Sequence, residues 1–205
     1  MGNSATDGFR IFPQHLKLEV QTALVADIRE RLTVAPLYRP VTPGGKPMSV
    51  EMSNLGPLGW CTGPEGYRYQ DRHPETGNPW PDIPPLLLDL WSGLGDPDVP
   101  PDACLVNVYG PGSRMGLHQD RDEADFRFPV VSVSLGDTGI FRIGGLNRTD
   151  PTRSIRLASG DVCVLGGPSR LAHHGIDRIL PGSSRLWPEG GRLNLTLRRA
   201  GSARC

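Results

Sequence analysis

Between Leu16 and Leu32 apolar residues return every fourth position, at Val20, Leu24, Ile28 and Leu32, with charged residues between them. That period predicts a helix over Leu16–Leu32 with one buried face, and Pro36 closes it. "VTPGGKP" (41–47) reads as a turn. "MSVEMSNLGPLGW" (48–60) alternates weakly, as short strands or an ordered loop would. From Gly63 to Pro85 proline, glycine and aromatic residues crowd together, which predicts a surface loop of the kind that covers a site. "PPLLLDLWSGLG" (84–95) predicts a second, short helix with proline in its first turn.

After Pro101 the period shortens to two. "CLVNVYG", "PVVSVSLG", "GIFRIGG", "SIRLASG", "DVCVLGG", "RLAHHGI" and "RLNLTLRRA" are brief alternating runs, and most end in turn residues. This is the pattern of an all-β sandwich or barrel. The expected fold is mainly β with flanking helices. N-terminal helices and a lid occupy residues 1–100, and a β-barrel or jelly-roll core occupies 101–205, within one domain. No repeat of fixed period and no low-complexity segment interrupts it.

The last run divides cleanly by face. Leu193, Leu195 and Leu197 fall on one side, and Arg192, Asn194, Thr196 and Arg198 on the other. A polar face is commonly the wet side of a sheet. Here the two arginines, about 20 Å apart along the strand at ~3.3 Å per residue, could also lean toward one dianion held inside a barrel. Asn107 and Tyr109 share a face of "CLVNVYG" and are open to the same two readings.

Composition narrows the field modestly. A chain of 205 residues can bury one full core. Its formal net charge of zero removes whole-molecule attraction to nucleic acid, though not a local basic patch. Twenty arginines stand against two lysines, Lys17 and Lys46. Guanidinium groups grip carboxylate and phosphate, but coding bias explains the ratio equally simply. The four cysteines are scattered, with no C-x-x-C, as expected for a reduced, cytoplasmic protein. No apolar run is long enough for a membrane span and no signal peptide is evident, so no membrane partner is expected. "MGNSAT" fits a myristoylation pattern with nothing else to support it. The first eight residues read as a frayed end.

The chemistry begins at "LHQDRDE" (117–123). In an extended strand His118 and Asp120 point to one side, and "LAHHGI" offers a further histidine. Two histidines and a carboxylate on one face form the facial triad of non-haem Fe(II) oxygenases, with coordination positions left open. H-x-D alone is equally compatible with a solvated loop histidine. "DRDEAD" lacks the glycine and final glutamate of a calcium loop, and "GPGSRMG" has neither the spacing nor the helix of a dinucleotide fingerprint.

Taken together, "NVYGPGSRMGLHQDRDE", "VSVSLG", "FRIGGLNR", "GDVCVLGG", "SRLAHHGI" and "RLNLTLRRAG" resemble the AlkB family of Fe(II)- and 2-oxoglutarate-dependent dioxygenases, most of all its bacterial DNA-repair member. The match runs in order from about Val41 to Gly201. The resemblance implies that His118, Asp120 and His174 hold Fe(II), with His173 structural. It places 2-oxoglutarate contacts on Asn107, Tyr109, Arg192, Asn194 and Arg198, and nucleotide contacts on Trp60, Tyr67, Tyr69, Asp122 and Arg148. A flipped base calls for an aromatic wall, and a base methylated on a ring nitrogen is cationic, which suits a carboxylate and an aromatic face. Departures from the family are Leu193, where tyrosine is frequent, the loop "LPGSSRLWPEGG" (180–191), and a lid that matches loosely outside "LGW" and "GYRY".

The expectation is a monomeric, cytoplasmic demethylase of 1-methyladenine and 3-methylcytosine. It would act on single-stranded DNA, with double-stranded DNA or RNA as further substrates, and release formaldehyde, succinate and CO₂. Two rivals remain open. One is the same dioxygenase chemistry on RNA, protein or lipid. The other is a non-catalytic jelly roll whose H-x-D…H holds a structural metal.

Overall fold

Strand alternation decides what each side of this molecule does. The computed structural model describes residues 7–201. In chain order it contains β1 (Phe9–Phe12), α1 (Leu18–Arg31), β2 (Glu51–Leu55), β3 (Gly59–Gly63), β4 (Gly66–Gln70), α2 (Pro85–Leu94), β5 (Ala103–Tyr109), β6 (Met115–His118), β7 (Val130–Gly136), β8 (Thr138–Ile143), β9 (Arg153–Leu157), β10 (Val162–Leu165), a 3₁₀ turn (Gly167–Ser169), β11 (His174–Leu180) and β12 (Arg192–Arg198). Six strands form one antiparallel sheet in the order β1-β10-β7-β12-β5-β2. Four more form a second in the order β6-β11-β8-β9, and β3-β4 is a separate hairpin. This is the jelly-roll arrangement the alternating runs predict.

The six-stranded sheet has two buried faces of opposite character. Leu193, Leu195 and Leu197 of β12 lie in one apolar cluster with Val106, Val131 and Val133 of the neighbouring strands and Leu24, Ile28, Leu87 and Trp91 of the two helices. The helices therefore cover the outer face. Residues one position out of phase, Leu105, Tyr109, Val130 and Leu165, pack with Phe141, Ile143, Leu157 and Ile176 of the four-stranded sheet. The polar residues of β12 share this inner face. Every residue of β12 is buried, so its polar side lines the interior and is not a wet surface.

Helix α1 buries Gln21, Leu24, Val25 and Ile28. The stripe is rotated slightly from the one the sequence predicts: Gln21 and Val25 are buried, while Val20 and Leu32 pack against the core only in part. The Gln21 amide is satisfied there: it donates to Leu16 O (2.7 Å) and accepts from the Ser159 hydroxyl (2.6 Å). At the N-terminus regular structure begins at Phe9, directly after the eight residues read as a frayed end. Residues 1–6 and their lipidation pattern lie outside the described residues, but Phe9–Phe12 pairs with β10 and Phe9 stacks on Phe141 at 5.7 Å.

The expectation of a surface loop over Gly63–Pro85 needs correction. β4 pairs with β3 in a hairpin, and Tyr69, His73 and Trp80 are buried. His73 holds the following turn. Its Nε2 donates to Pro36 O (2.8 Å), and its Nδ1 accepts from the amides of Glu75 and Thr76. Trp80 Nε1 donates to Gln70 O. Aromatic residues among prolines and glycines mark a packed lid here.

The 180–191 loop is tied down by one buried carboxylate. Asp137 accepts from the amides of Gly182 (3.1 Å), Ser184 (2.9 Å) and Gly191 (3.1 Å), the last adjacent to Arg192. Hydrogen bonds to a charged acceptor contribute about 1.5–3 kcal/mol each. Asp137→Ala, which leaves three amides without their acceptor, is expected to destabilise the fold by about 3 kcal/mol or more. The check is the urea midpoint at unchanged slope. Among the described residues no helix is long and apolar enough to cross a membrane.

Candidate active site

A cavity of about 540 Å³ opens between the two sheets. At one side of it stand His118, Asp120 and His174, with one donor atom from each lying within 4.8 Å of the others. The two histidines are direct cross-strand partners, one ending β6 and the other opening β11. Their rings sit 4.6 Å apart. Glycine at 175 is required for this contact, because a Cβ there would collide with the carbonyl oxygens of Met115 and Gly116. Asp120 lies two residues past the end of β6, so the loop, and not strand alternation, brings its carboxylate to the histidines.

The tautomers are set by the backbone. Nδ1 of His118 donates to Gly116 O and Nδ1 of His174 donates to Ala172 O, both at 2.9 Å. Each ring is left with the Nε2 lone pair for a metal. The two Nε2 atoms lie 3.6 and 3.7 Å from the Asp120 oxygens. Burial, with His118 beside it, pushes the His174 pKa down to about 4, so the ring is neutral near pH 7. Burial works against ionisation of Asp120, but Arg198 and the two histidines outweigh it and hold the carboxyl well below the usual range. Asp120 Oδ2 is buried with no hydrogen-bond partner. Two imidazoles whose Nδ1 atoms are engaged by the backbone, and a carboxylate with an unsatisfied oxygen, fit a divalent metal such as Fe(II).

His173 contributes no donor to this group. It precedes β11, so the approach to that strand sets where it points. It reaches the cavity wall, with Nδ1 unpaired.

Beside the metal donors the cavity is lined by Asn107, Tyr109, Arg192, Asn194, Thr196 and Arg198. Arg198 donates to Asp120 Oδ1 at 2.8 Å. Arg192 differs. It is 1 % exposed, and its contacts are Ser134 Oγ at 2.8 Å and Leu157 O at 3.4 Å. Among the described residues no carboxylate lies within 4.0 Å of it, and its Nε is unpaired. Burial lowers its pKa, yet a guanidinium stays charged. A buried cation with no carboxylate in direct contact, only the more distant charge of Asp161, can take an anion from the cavity. Asn107 Oδ1 is likewise buried and unpaired. Asn194 is held by Ser132 Oγ and Val133 O, and accepts from Thr196.

Trp60, Tyr67, Asp122 and Arg148 also line the cavity. Trp60 Nε1 donates to Asp122 Oδ2 at 2.8 Å, and its ring stacks on Tyr67 at 5.5 Å and 19°. Tyr67 is exposed at the hairpin tip. Arg148 donates to Leu117 O at 2.7 Å, one residue from His118. Tyr69 departs from the expectation. It shares a face with Tyr67 but lies two residues deeper in the hairpin. Its ring is 5 % exposed, it does not line the cavity, and its hydroxyl donates to Glu123 Oε1 at 2.7 Å. Sequence reasoning passed over Glu123 and Arg170, both buried beside Asp120, and Met48, Met52 and Gln119 of the cavity wall. Nothing in "DRDE" distinguishes the carboxylate that is interior.

Comparison with known proteins agrees with this geometry. The family model of the 2OG-Fe(II) oxygenase superfamily matches residues 8–198. The chain is 66 % identical over 196 residues to the alpha-ketoglutarate-dependent dioxygenase AlkB homolog of Caulobacter vibrioides, covering 96 % of this chain and 89 % of the relative. It is 47 % identical over 182 residues to the alpha-ketoglutarate-dependent dioxygenase AlkB of Escherichia coli, covering 87 % and 84 %. The solved structure of OsALKBH1 superposes with a TM-score of 0.75 at 32 % identity, covering 93 % of this chain and 97 % of that one. The chain therefore belongs to the 2OG-Fe(II) oxygenase superfamily, in its AlkB family, and is a dioxygenase that uses Fe(II) and 2-oxoglutarate.

Proposed function

We propose that this dioxygenase oxidatively demethylates N-alkylated bases, with 1-methyladenine and 3-methylcytosine in single-stranded DNA as its main substrates. The observation that carries the substrate reading is the Trp60–Asp122 pair at 2.8 Å, an aromatic wall joined to a carboxylate in the same cavity as the three metal donors. A flat, cationic base is the ligand that uses both groups. A protein or lipid substrate has no need of either, which argues against those two substrates; a methylated base in RNA would use both. The non-catalytic rival leaves Arg192 without a purpose.

In this reading His118, Asp120 and His174 hold the iron. Arg198, against Asp120, takes the 2-oxoglutarate carboxylate nearest the metal, and Arg192 takes the far one, with Asn107, Tyr109 and Asn194 fixing the chain between them. When bound, Fe(II) with 2-oxoglutarate and O₂ supplies the oxidant that hydroxylates the methyl carbon, and the cosubstrate leaves as succinate and CO₂. The residues of this chain position and shield. Trp60 presents a face for the base to stack on, Asp122 attracts its positive charge, and Arg148 and Tyr67 lie at the mouth, where a phosphate would pass. The hydroxymethylated base then loses formaldehyde. Unpaired bases are favoured because they need the least energy to unstack. Three buried free thiols, Cys61, Cys104 and Cys163, accord with a reduced cytoplasmic setting.

The test is formaldehyde release from a 3-methylcytosine oligonucleotide with Fe(II), 2-oxoglutarate and O₂. Trp60→Ala and Asp122→Ala separate recognition from oxygen activation. A stacked base contributes roughly 1–3 kcal/mol, so repair by Trp60→Ala should fall by about 5- to 150-fold. Both variants should still turn 2-oxoglutarate into succinate without DNA. Asp122→Ala should lose more on a cationic lesion than on neutral etheno-adenine. If succinate and formaldehyde fall together, these residues support the iron site and the recognition role is wrong.

A further inference from the structure

The cavity does not contain all the groups that govern it. Besides Asp120 of the cavity wall, Arg198 is held by Tyr69 and Glu123, which do not line the cavity. Its guanidinium donates to Asp120 Oδ1 at 2.8 Å and to the Tyr69 hydroxyl at 3.3 Å, and lies 3.5 Å from Glu123 Oε1. Its Nε is buried and is the one guanidinium nitrogen without a partner. Glu123 is 1 % exposed and fully engaged. Tyr69 donates to Oε1 at 2.7 Å and Arg170 to Oε2 at 3.1 Å. Arg170 also donates to the backbone oxygens of Asp120 and Phe128, at 2.7 and 2.8 Å, which pins the loop that carries both carboxylates.

The lid enters the same network. Tyr69 is the cross-strand partner of Trp60 in the β3–β4 hairpin. Trp60 bonds Asp122 and Tyr69 bonds Glu123, so the polar tips of two paired lid aromatics land on consecutive carboxylates. Hairpin docking and the placement of Arg198 thus share one group.

We propose that Glu123 and Tyr69 are positioning residues for the cosubstrate, holding the Arg198 guanidinium in the plane from which it meets a 2-oxoglutarate carboxylate and coupling that plane to the seating of the lid. This rests on the reading that Arg198 binds 2-oxoglutarate. A free arginine side chain has many rotamers to lose on binding. A guanidinium already fixed by two carboxylates and a phenol loses few of them. Arg170 occupies the second oxygen of Glu123, which leaves Oε1 facing Tyr69 and Arg198.

The experiment titrates 2-oxoglutarate calorimetrically into the full chain loaded with Mn(II), which accepts the same oxygen and nitrogen ligands without turnover. The 2-oxoglutarate KM and kcat are measured alongside with Fe(II). Glu123→Gln keeps shape and removes charge, and it should weaken 2-oxoglutarate by about tenfold. Tyr69→Phe removes one hydroxyl and should weaken it by about threefold. In both, the loss should lie in KM, with kcat recovered at saturating 2-oxoglutarate. A residue that only stabilises the fold would lower the melting temperature and leave this split unmoved. Arg198→Ala is the reference. If it binds 2-oxoglutarate like the parent, the underlying reading of Arg198 fails. If it loses affinity while Glu123→Gln and Tyr69→Phe do not, the positioning inference alone is overturned. Loss of 3-methylcytosine oligonucleotide affinity with 2-oxoglutarate binding intact in Glu123→Gln would also overturn it, and would make Glu123 a reader of the base. Should Glu123→Gln fail to fold, Tyr69→Phe decides.

Discussion

His118→Ala, Asp120→Ala and His174→Ala are each expected to abolish iron-dependent turnover, whereas His173→Ala keeps most of it. The donors of the first three lie within 4.8 Å of one another, and that of His173 is not among them. With one ligand gone, two remain, and the open face needed for cosubstrate and O₂ is no longer defined. The loss should exceed the roughly 10–100-fold that follows removal of a partner behind a ligand. Asp120→Ala carries a second penalty, since it also releases Arg198 from its 2.8 Å contact. Equilibrium dialysis of Fe(II) under anaerobic conditions, run beside turnover, checks the four variants. If His173→Ala loses iron and His174→Ala retains it, the ligand assignment is wrong.

What the sequence made legible follows from what alternation can encode. Facing is encoded. A period of two puts Leu193, Leu195 and Leu197 against the helices and Arg192, Asn194, Thr196 and Arg198 into the cavity, as observed. Depth is not encoded. Tyr67 and Tyr69 share a face, yet one is 54 % and the other 5 % exposed, because their distance from the hairpin tip differs. Where regular structure stops, alternation stops with it. Asp120 and His173 both lie just outside a strand, and the loop and strand approach decide where they point. Buried ion networks are hidden for a related reason. Asp122 and Glu123 are adjacent and chemically alike, and only the packing of Tyr69, Arg170 and Arg198 puts the second inside. The short β1, and the hairpin and buried packing of the lid, were not legible because four residues, or a run of prolines and glycines, carry too little periodic signal. The grouping of ligands by role came from resemblance across the whole chain, since no local spacing joins His118 to His174 or Arg192.

The second large effect is expected at Arg192, and it tests which end of the cosubstrate each arginine serves. Arg198 already has a carboxylate partner in Asp120, whereas Arg192 is buried without one. A buried guanidinium with no carboxylate in contact gains much from an anion that reaches it. Removing one member of such a desolvated pair costs about 2–5 kcal/mol, which is roughly 30-fold to several thousand-fold in affinity. Arg192→Leu fills similar space without charge and should weaken 2-oxoglutarate by that much, with little change in oligonucleotide or metal binding. It should also erase a preference. The parent protein is expected to bind 2-oxoglutarate far more tightly than 2-oxobutanoate, which keeps the 2-oxo acid end and lacks the distal carboxylate. If Arg192 holds the distal carboxylate, the two ligands become nearly equal in Arg192→Leu, because specificity is a difference of affinities and the group that made the difference is gone. Arg198→Ala should weaken both ligands alike, since both share the end that Arg198 is assigned. Calorimetric titration of the two ligands into the parent and both variants, with Mn(II) in place of Fe(II), gives the comparison directly. If Arg192→Leu retains the preference and Arg198→Ala loses it, the cosubstrate lies in the cavity in the opposite sense, with its distal carboxylate at Asp120. The metal would then have to be approached from the Arg192 end.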